Sequence, residues 1–335
     1  MMNYDVYGIG NALVDMEFKV GEEFFKTNNI EKGLMTLVEE QRQVELASAL
    51  AKDGILPANK QCGGSAANTM IGISQFGGKS FYSCKVANDE TGLFYLNDLK
   101  NNKVETKLCA KSAPEGITGK CMVMVTPDAE RTMNTFLGIT ASYSEEELDL
   151  DALKNSKWLY VEGYLVASPT GQKAAVTAVN YARKNGVKTA LTMSDPNMVK
   201  FFRDNMNEII GDGVDLMFCN EDEAMEFCGK STVLEAREEL KKLAKSFVIT
   251  LGSNGAIIWD GTTFIDIEPF ATNAIDTNGA GDMFAGAFLY GITNGHTLAS
   301  SGVLASRSSS VVVSQFGPRL ETAQAKEIHS QVFTS

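Results

Sequence analysis

From about residue 157 onward, short apolar runs alternate with amphipathic stretches, with a repeat of roughly 30 residues that is typical of βαβ units. The apolar runs are Trp158–Val161, Val187–Met193, Val214–Phe218 and Phe247–Leu251, each rich in strand-forming residues and bounded by Gly, Asp, Asn or Lys. Between them lie Gly171–Lys184 and Val233–Lys245, which read as helices. Strand, helix, strand in this order predicts a parallel sheet, because a crossover helix returns the chain to the end from which it left. The runs are apolar throughout, as strands covered on both faces are. The stretch from Gly279 to Ile328 reads as mostly helical.

The first half mixes two textures. Tyr4–Ile9 and Ser80–Val86 read as further strands of the main sheet, and Ala66–Phe76 and Thr91–Asn101 as helices. Leu13–Val20, Leu34–Val38, Gly119–Thr126 and Arg131–Leu137 alternate instead, and Met133, Thr135 and Leu137 share one face at period two. This pattern predicts a small antiparallel sheet built from two excursions, about 12–38 and 104–137. It would form a lid beside the C-terminal edge of the main sheet. No Pro-rich linker, internal repeat or low-complexity tract divides the chain, so residues 1–335 are read as one α/β domain.

Composition narrows the partners. Hydrophobic residues at 44% and charged residues at 21% are ordinary globular values, and the net charge is −12. A broad nucleic-acid or anionic-membrane footprint needs clustered Lys and Arg, so neither partner is expected. A small anion held by backbone amides stays open on an acidic protein. No apolar run approaches the roughly 18 residues of a membrane helix. Met1–Asp5 lacks the basic and apolar regions of a secretory signal. The six cysteines are scattered without a CxxC pair, which points to reduced thiols in a cytoplasmic protein and away from zinc. His296 and His329 are the only histidines, and surface or capping roles suit them better than catalysis.

The chemistry concentrates in Asp276-Thr277-Asn278-Gly279-Ala280-Gly281-Asp282, followed by the apolar run Met283–Leu289. Glycines at a helix start let the backbone approach a ligand, and the first-turn N–H groups favour an anion. A carboxylate there is out of place if the only task is to attract phosphate. It makes sense if Asp282 accepts a proton from a hydroxyl that attacks the phosphate. The competing explanation is a loop-to-helix junction capped by Asp276 or Asp282.

Asp276–Asp282 resembles the C-terminal signature of the ribokinase-like (phosphofructokinase B) family of sugar and nucleoside kinases. Gly63-Gly64-Ser65-Ala66-Ala67-Asn68 resembles that family's N-terminal glycine-rich signature. The resemblance implies a three-layer αβα sandwich with a mainly parallel sheet and a small β lid, acting with ATP and Mg²⁺. By this likeness Asp282 is the base, and Gly279, Ala280 and Gly281 form the anion hole beside Asn278. Asn220 and Glu223 match an NxxE element near magnesium, with Glu223 acting through water; a helix cap is the rival role for Asn220. Thr250, Gly252 and Gly255 match a nucleotide loop, for which a plain hairpin between Phe247–Leu251 and Ala256–Trp259 is the rival. Asp276, with Val312–Gly317, resembles the monovalent-cation (K⁺) loop of some members. On the acceptor side, Asn11, Leu13 and Asp15 follow the first strand. Asp15 resembles the family carboxylate that holds two sugar hydroxyls. Gly64, Ser65 and Asn68 would complete the sugar site. Arg131 would reach over the phosphates, and Met133, Thr135 and Leu137 could wall a base or simply pack the lid.

The segments Gly8–Asp15, Gly63–Asn68 and Arg131–Leu137 look most like adenosine kinases and their bacterial relatives. Ser194-Asp195-Pro196-Asn197 departs from them, since an aromatic residue tends to follow that proline and stack on the base; Phe136 or Tyr164 could substitute. A nucleoside is favoured over a free sugar as acceptor. A catalytically silent binding protein on the same fold is a third reading, and the lid sheet could serve as a homodimer surface. Two other motifs fail. Gly8-Ile9-Gly10 lacks the third glycine of a dinucleotide fingerprint, with Leu13 in its place. Gly78-Lys79-Ser80 has Ile73 where a P-loop needs glycine.

Overall fold

The computed structural model describes residues 3–128 and 130–333; Met1, Met2, Thr334, Ser335 and Ala129 of the lid motif lie outside the described residues. The strands are β1 (Tyr4–Ile9), β2 (Leu13–Lys19), β3 (Met35–Leu37), β4 (Asn59–Gly63), β5 (Ser80–Ser83), β6 (Thr118–Val125) and β7 (Arg131–Gly138). They continue with β8 (Ser156–Val161), β9 (Lys188–Thr192), β10 (Val214–Asn220), β11 (Ala244–Thr250), β12 (Ala256–Trp259) and β13 (Phe264–Ile267). The main sheet has the order β13-β12-β11-β10-β9-β8-β1-β5. It is parallel from β11 to β5, and β12 and β13 add an antiparallel edge.

Successive residues of each strand feed opposite layers, as the pleat requires. Val6, Tyr160, Leu216 and Val248 pack with the helices Ser65–Gln75, Ala280–Thr293 and Leu298–Val312. Tyr7, Leu159, Met217 and Phe247 pack with Pro169–Lys184, Arg203–Ile210 and Glu221–Cys228. This is the expected three-layer αβα sandwich.

Local signals explain most helix starts. Ser168 accepts a hydrogen bond from Gly171 N–H ahead of Pro169 at the first helical position. The helix expected over Val233–Lys245 stops at Leu240, because β11 begins at Ala244 in register with Val214. No glycine or proline marks that break, so tertiary pairing alone sets it.

The second sheet, β3-β7-β6-β2-β4, is mixed and not antiparallel as expected. β2 runs parallel to β6 and β3 parallel to β7, while β2–β4 and β6–β7 are antiparallel. Period-two alternation reports one buried face and carries no information on strand direction. The polar strand β4 has no such alternation and joins by pairing Leu13, Asp15 and Glu17 with Gly63, Gln61 and Asn59. The sheet's outer face is covered by helices Glu22–Thr27 and Glu40–Lys52, which enclose Phe18, Phe25, Leu46, Leu50, Met122 and Met124. Among the described residues, no helix is long and apolar enough to cross a membrane.

Leu46 is fully buried in this small cluster. Leu46→Ala is expected to cost about 2–5 kcal/mol, read as a lower urea midpoint by fluorescence; an unchanged midpoint would show that the two helices do not hold the lid sheet.

Candidate active site

The C-terminal ends of the main-sheet strands converge on one cleft, where open α/β sheets bind their ligands. β1 delivers Asn11, β8 delivers Glu162, β10 delivers Asn220 and β11 delivers Thr250. The inner face of the lid closes the other side of this cleft of about 370 Å³. Of the residues expected there, Asn11, Leu13, Asp15, Gly64, Ser65 and Asn68 line it, as do Arg131, Met133, Thr135 and Leu137. So do Asn220, Glu223, Thr250 and the run Asn278–Asp282. Gly252 and Gly255 do not. Both sit in the β11–β12 hairpin, and a Cβ on Gly255, at φ +87°, would meet Ile267 O at 2.0 Å. Asp276 lies just beneath the cleft, fully buried.

Asp282 sits in the first turn of Ala280–Thr293, half-buried. Its two oxygens accept from Ser65 Oγ at 2.6 Å and Asn68 Nδ2 at 3.0 Å. Those partners lie on the neighbouring helix, which packs closely because Gly286 meets Thr69 O and Gly72. Burial raises the Asp282 carboxyl above its ordinary value, while the bonds from Ser65 and Asn68 and the charges of Arg131 and Arg319 oppose it. The helix begins at Gly279, whose φ of +71° is left-handed and whose Cβ position lies 2.2 Å from Pro318 Cβ. Only glycine fits there.

Asp15 faces the cleft from β2 at 7% exposure; a Cβ on Gly63 would stand 2.1 Å from its carboxyl carbon, so Gly63 makes room for it. Burial pushes the Asp15 pKa up to about 7, against the charge of Arg319. Glu162, which the sequence reading missed, is held by Asn11 N–H and Nδ2 at 3.2 Å and by Ala66 N–H at 2.9 Å, and burial raises it to about 7. Its position just past the end of a parallel strand was the available signal.

The lid wall is more apolar than expected. Met35, Leu37 and Val123 join Met133 and Leu137, and Tyr164 faces them from the main domain. Phe136 does not contribute: it is paired with Lys120 and, by strand alternation, takes the opposite face. Asn197 is outside the cleft and Met198 lines it instead.

Arg131 Nη1 donates to Asn278 Oδ1 at 2.5 Å, and its Nε is 3.8 Å from Asp276 Oδ1. The lid arginine therefore already rests on the glycine-rich loop. Arg131 Nε and Asn278 Nδ2 are buried without hydrogen-bond partners.

Against this geometry, residues 57–325 match the family model described as pfkB family carbohydrate kinase. The chain belongs to that family. It is similar to the adenosine kinase of Saccharomyces cerevisiae, 26% identical over 92% of this chain and 95% of that one. Among solved structures it is similar to a probable sugar kinase from Rhizobium etli CFN 42, with TM-score 0.90 and 31% identity over 99% of this chain and 100% of that one. It is also similar to the adenosine kinase of Sinorhizobium meliloti, with TM-score 0.87 and 33% identity over 97% and 98%. As a pfkB kinase, the protein is a phosphotransferase with an alcohol group as acceptor.

The family implies a nucleotide and a divalent metal. The first-turn amides of the helix that starts at Gly279, with Arg131 resting on Asn278 beside it, suit phosphate oxygens. Among the described residues no group of three His, Cys, Asp or Glu gathers as a metal cage. That suits Mg²⁺ held mainly by phosphates and water. Glu223 fits an outer role, since both its oxygens accept from Asn220, N–H at 2.9 Å and Nδ2 at 3.0 Å, in a capping box. The cap and the cleft position of Asn220 are thus both real. Asp276, assigned by resemblance to a monovalent-cation loop, accepts from Asn278 N–H at 2.9 Å and Gly317 N–H at 3.0 Å, which leaves a second lone pair on each oxygen.

An acid that is harder to ionise folded than unfolded holds its proton longer in the folded state. For Asp15 the stability cost begins as pH rises past its ordinary 3.8 and is complete above about 7. Asp15→Asn removes that cost. Its advantage in melting temperature over the parent is therefore expected to grow from pH 5 to pH 8 by scanning calorimetry; an advantage equal at both would contradict a buried, proton-retaining Asp15.

Proposed function

We propose that this kinase transfers the γ-phosphate of ATP to the hydroxymethyl group of a nucleoside resembling adenosine, with Asp282 as the general base. The observation that carries the nucleoside reading is the aliphatic lid wall of Met35, Leu37, Val123, Met133 and Leu137, facing Tyr164 across the cleft. A free sugar has no apolar face large enough to cover it. The polar floor of Asn11, Asp15, Gly64 and Asn68 suits the ribose hydroxyls.

The residues divide the work. Asp15 binds acceptor hydroxyls and so fixes the CH₂OH group toward Asp282. Asp282 takes the hydroxyl proton as the oxygen bonds to the γ-phosphorus and the bond to the ADP oxygen breaks. Ser65 and Asn68 hold the carboxylate in place for that transfer. The amides of Gly279, Ala280 and Gly281, with Arg131, stabilise the charge that develops on the moving phosphoryl group. Thr250 and Glu223 mark the nucleotide end of the cleft. Magnesium, when bound, neutralises phosphate charge. The lid excludes water and so limits hydrolysis. Six free cysteines among the described residues accord with a reducing, cytoplasmic setting.

A sugar acceptor is the second reading. The wall offers methyl and thioether groups where a stacked base would prefer an aromatic sandwich, and Asn197 leaves the family's aromatic position polar.

Incubation with ATP and a panel of nucleosides and free sugars decides between them, with nucleoside 5′-monophosphate expected as product. Phosphorylation of sugars alone would overturn the nucleoside half and leave the kinase half standing. Asp282→Asn is expected to lower turnover by at least about 10²–10⁴-fold with ATP binding largely kept, measured by coupled assay and calorimetry; near-normal turnover would remove Asp282 as base. Asp15→Ala is expected chiefly to raise the acceptor KM, and an unchanged KM would contradict its placement.

A further inference from the structure

Arg319 follows the turn Gly317-Pro318 and points back into the protein, with its side chain 8% exposed. Its guanidinium reaches three groups. Nη1 donates to Asp98 Oδ2 at 3.0 Å, Nη2 to Cys62 Sγ at 3.1 Å, and Nε to Asn68 Oδ1 at 3.2 Å. Asp98 also accepts from Cys62 N–H at 2.7 Å. The ion pair with Asp98 and the contact with Cys62 would anchor the segment by themselves. The third arm goes to the residue that holds the Asp282 carboxylate.

A guanidinium only donates, so it can face only the oxygen end of the Asn68 amide. The nitrogen end is then turned toward Asp282 Oδ2, 3.0 Å away. We infer that Arg319 is a positioning residue for phosphoryl transfer, setting the orientation of the Asn68 amide and thereby holding Asp282 as an acceptor. Without it the Asn68 amide is free to turn its oxygen toward Asp282, where two acceptors would meet and a proton on Asp282 would be favoured.

The electrostatics have the same sign. Asp282 faces Asp15 on β2, Arg131 on β7, Tyr160 and Glu162 at the end of β8, Tyr164 beyond it, and Arg319. Burial raises Asp282, and Arg131 and Arg319 are the two cations that oppose this. Removing Arg319 takes away one of them, so the base should be lost at a higher pH than in the parent. Asp15 is affected in the same direction, because Arg319 is the largest influence lowering it.

The inference rests on Asp282 as the base, and its test separates the two. Single-turnover phosphoryl transfer is measured against pH for the parent, Asp282→Asn, Arg319→Lys and Arg319→Gln, each at saturating ATP and acceptor. Arg319→Gln is expected to fall about 10- to 100-fold, with its acid limb moved to higher pH. Arg319→Lys keeps the charge but cannot hold three partners, and is expected to fall less with a smaller move. If Arg319→Gln does not fold, the lysine variant decides alone. An acid limb at the parent's position in the folded arginine variants, whatever their rates, overturns the positioning role and leaves Arg319 a structural clamp. Parent-like turnover in Asp282→Asn overturns the reading of the base itself.

Discussion

The site depends on the close crossing of two helices, Ser65–Gln75 and Ala280–Thr293. A Cβ on Gly286 would stand 2.8 Å from Thr69 O, so the two backbones approach at a distance that side chains would prevent. This contact brings their first turns together and lets Ser65 and Asn68 grip Asp282 across more than two hundred residues of sequence. Neither first turn could specify that geometry alone. Each helix start is a glycine-rich loop, and the two are tied together by the bonds from Ser65 and Asn68 to Asp282.

Charge handling follows from the same contact. The chain has a net charge of −12, while its family implies a polyanionic nucleotide. The local arrangement that would suit such a ligand is a helix N-terminus with the lid arginine resting on Asn278. The acid groups close to it, Asp15, Glu162 and Glu223, are each raised to about 7 by burial. Such perturbed carboxyls cluster at functional sites because a site that excludes water penalises every charge in it.

Much of this was legible in the sequence, and the reasons for success and failure are physical. Apolar runs between helical stretches dictated the parallel sheet, because strands covered on both faces have no polar side to show. The Gly63–Asn68 and Asp276–Asp282 runs were legible because a backbone that must pass close to Asp15, Asn11 O and Pro318 admits few residue types. Strand direction in the lid was not legible, since β2 and β6 are brought together by chain connection and not by any local signal. β4 was hidden because its residues, Asn59, Lys60 and Gln61, are polar and earn their place by pairing. Gly255 sits in the β11–β12 hairpin with a left-handed backbone, and that geometry by itself does not announce a purpose. Glu162 and Arg319 were silent because a single charged residue becomes informative only when its burial is known.

The lid is continuous with the acceptor floor. β2 leaves directly from Asn11, and β4 runs through Gly63 and Gly64 into the helix that carries Ser65 and Asn68. Asp15 belongs to the lid sheet itself, so any displacement of that sheet carries Asp15 with it. The cover and the proposed acceptor carboxylate are one mechanical part. Under the proposed reading, an acceptor held by Asp15 would load the cover directly, whereas a single water molecule would not bridge Asp15 and Asp282.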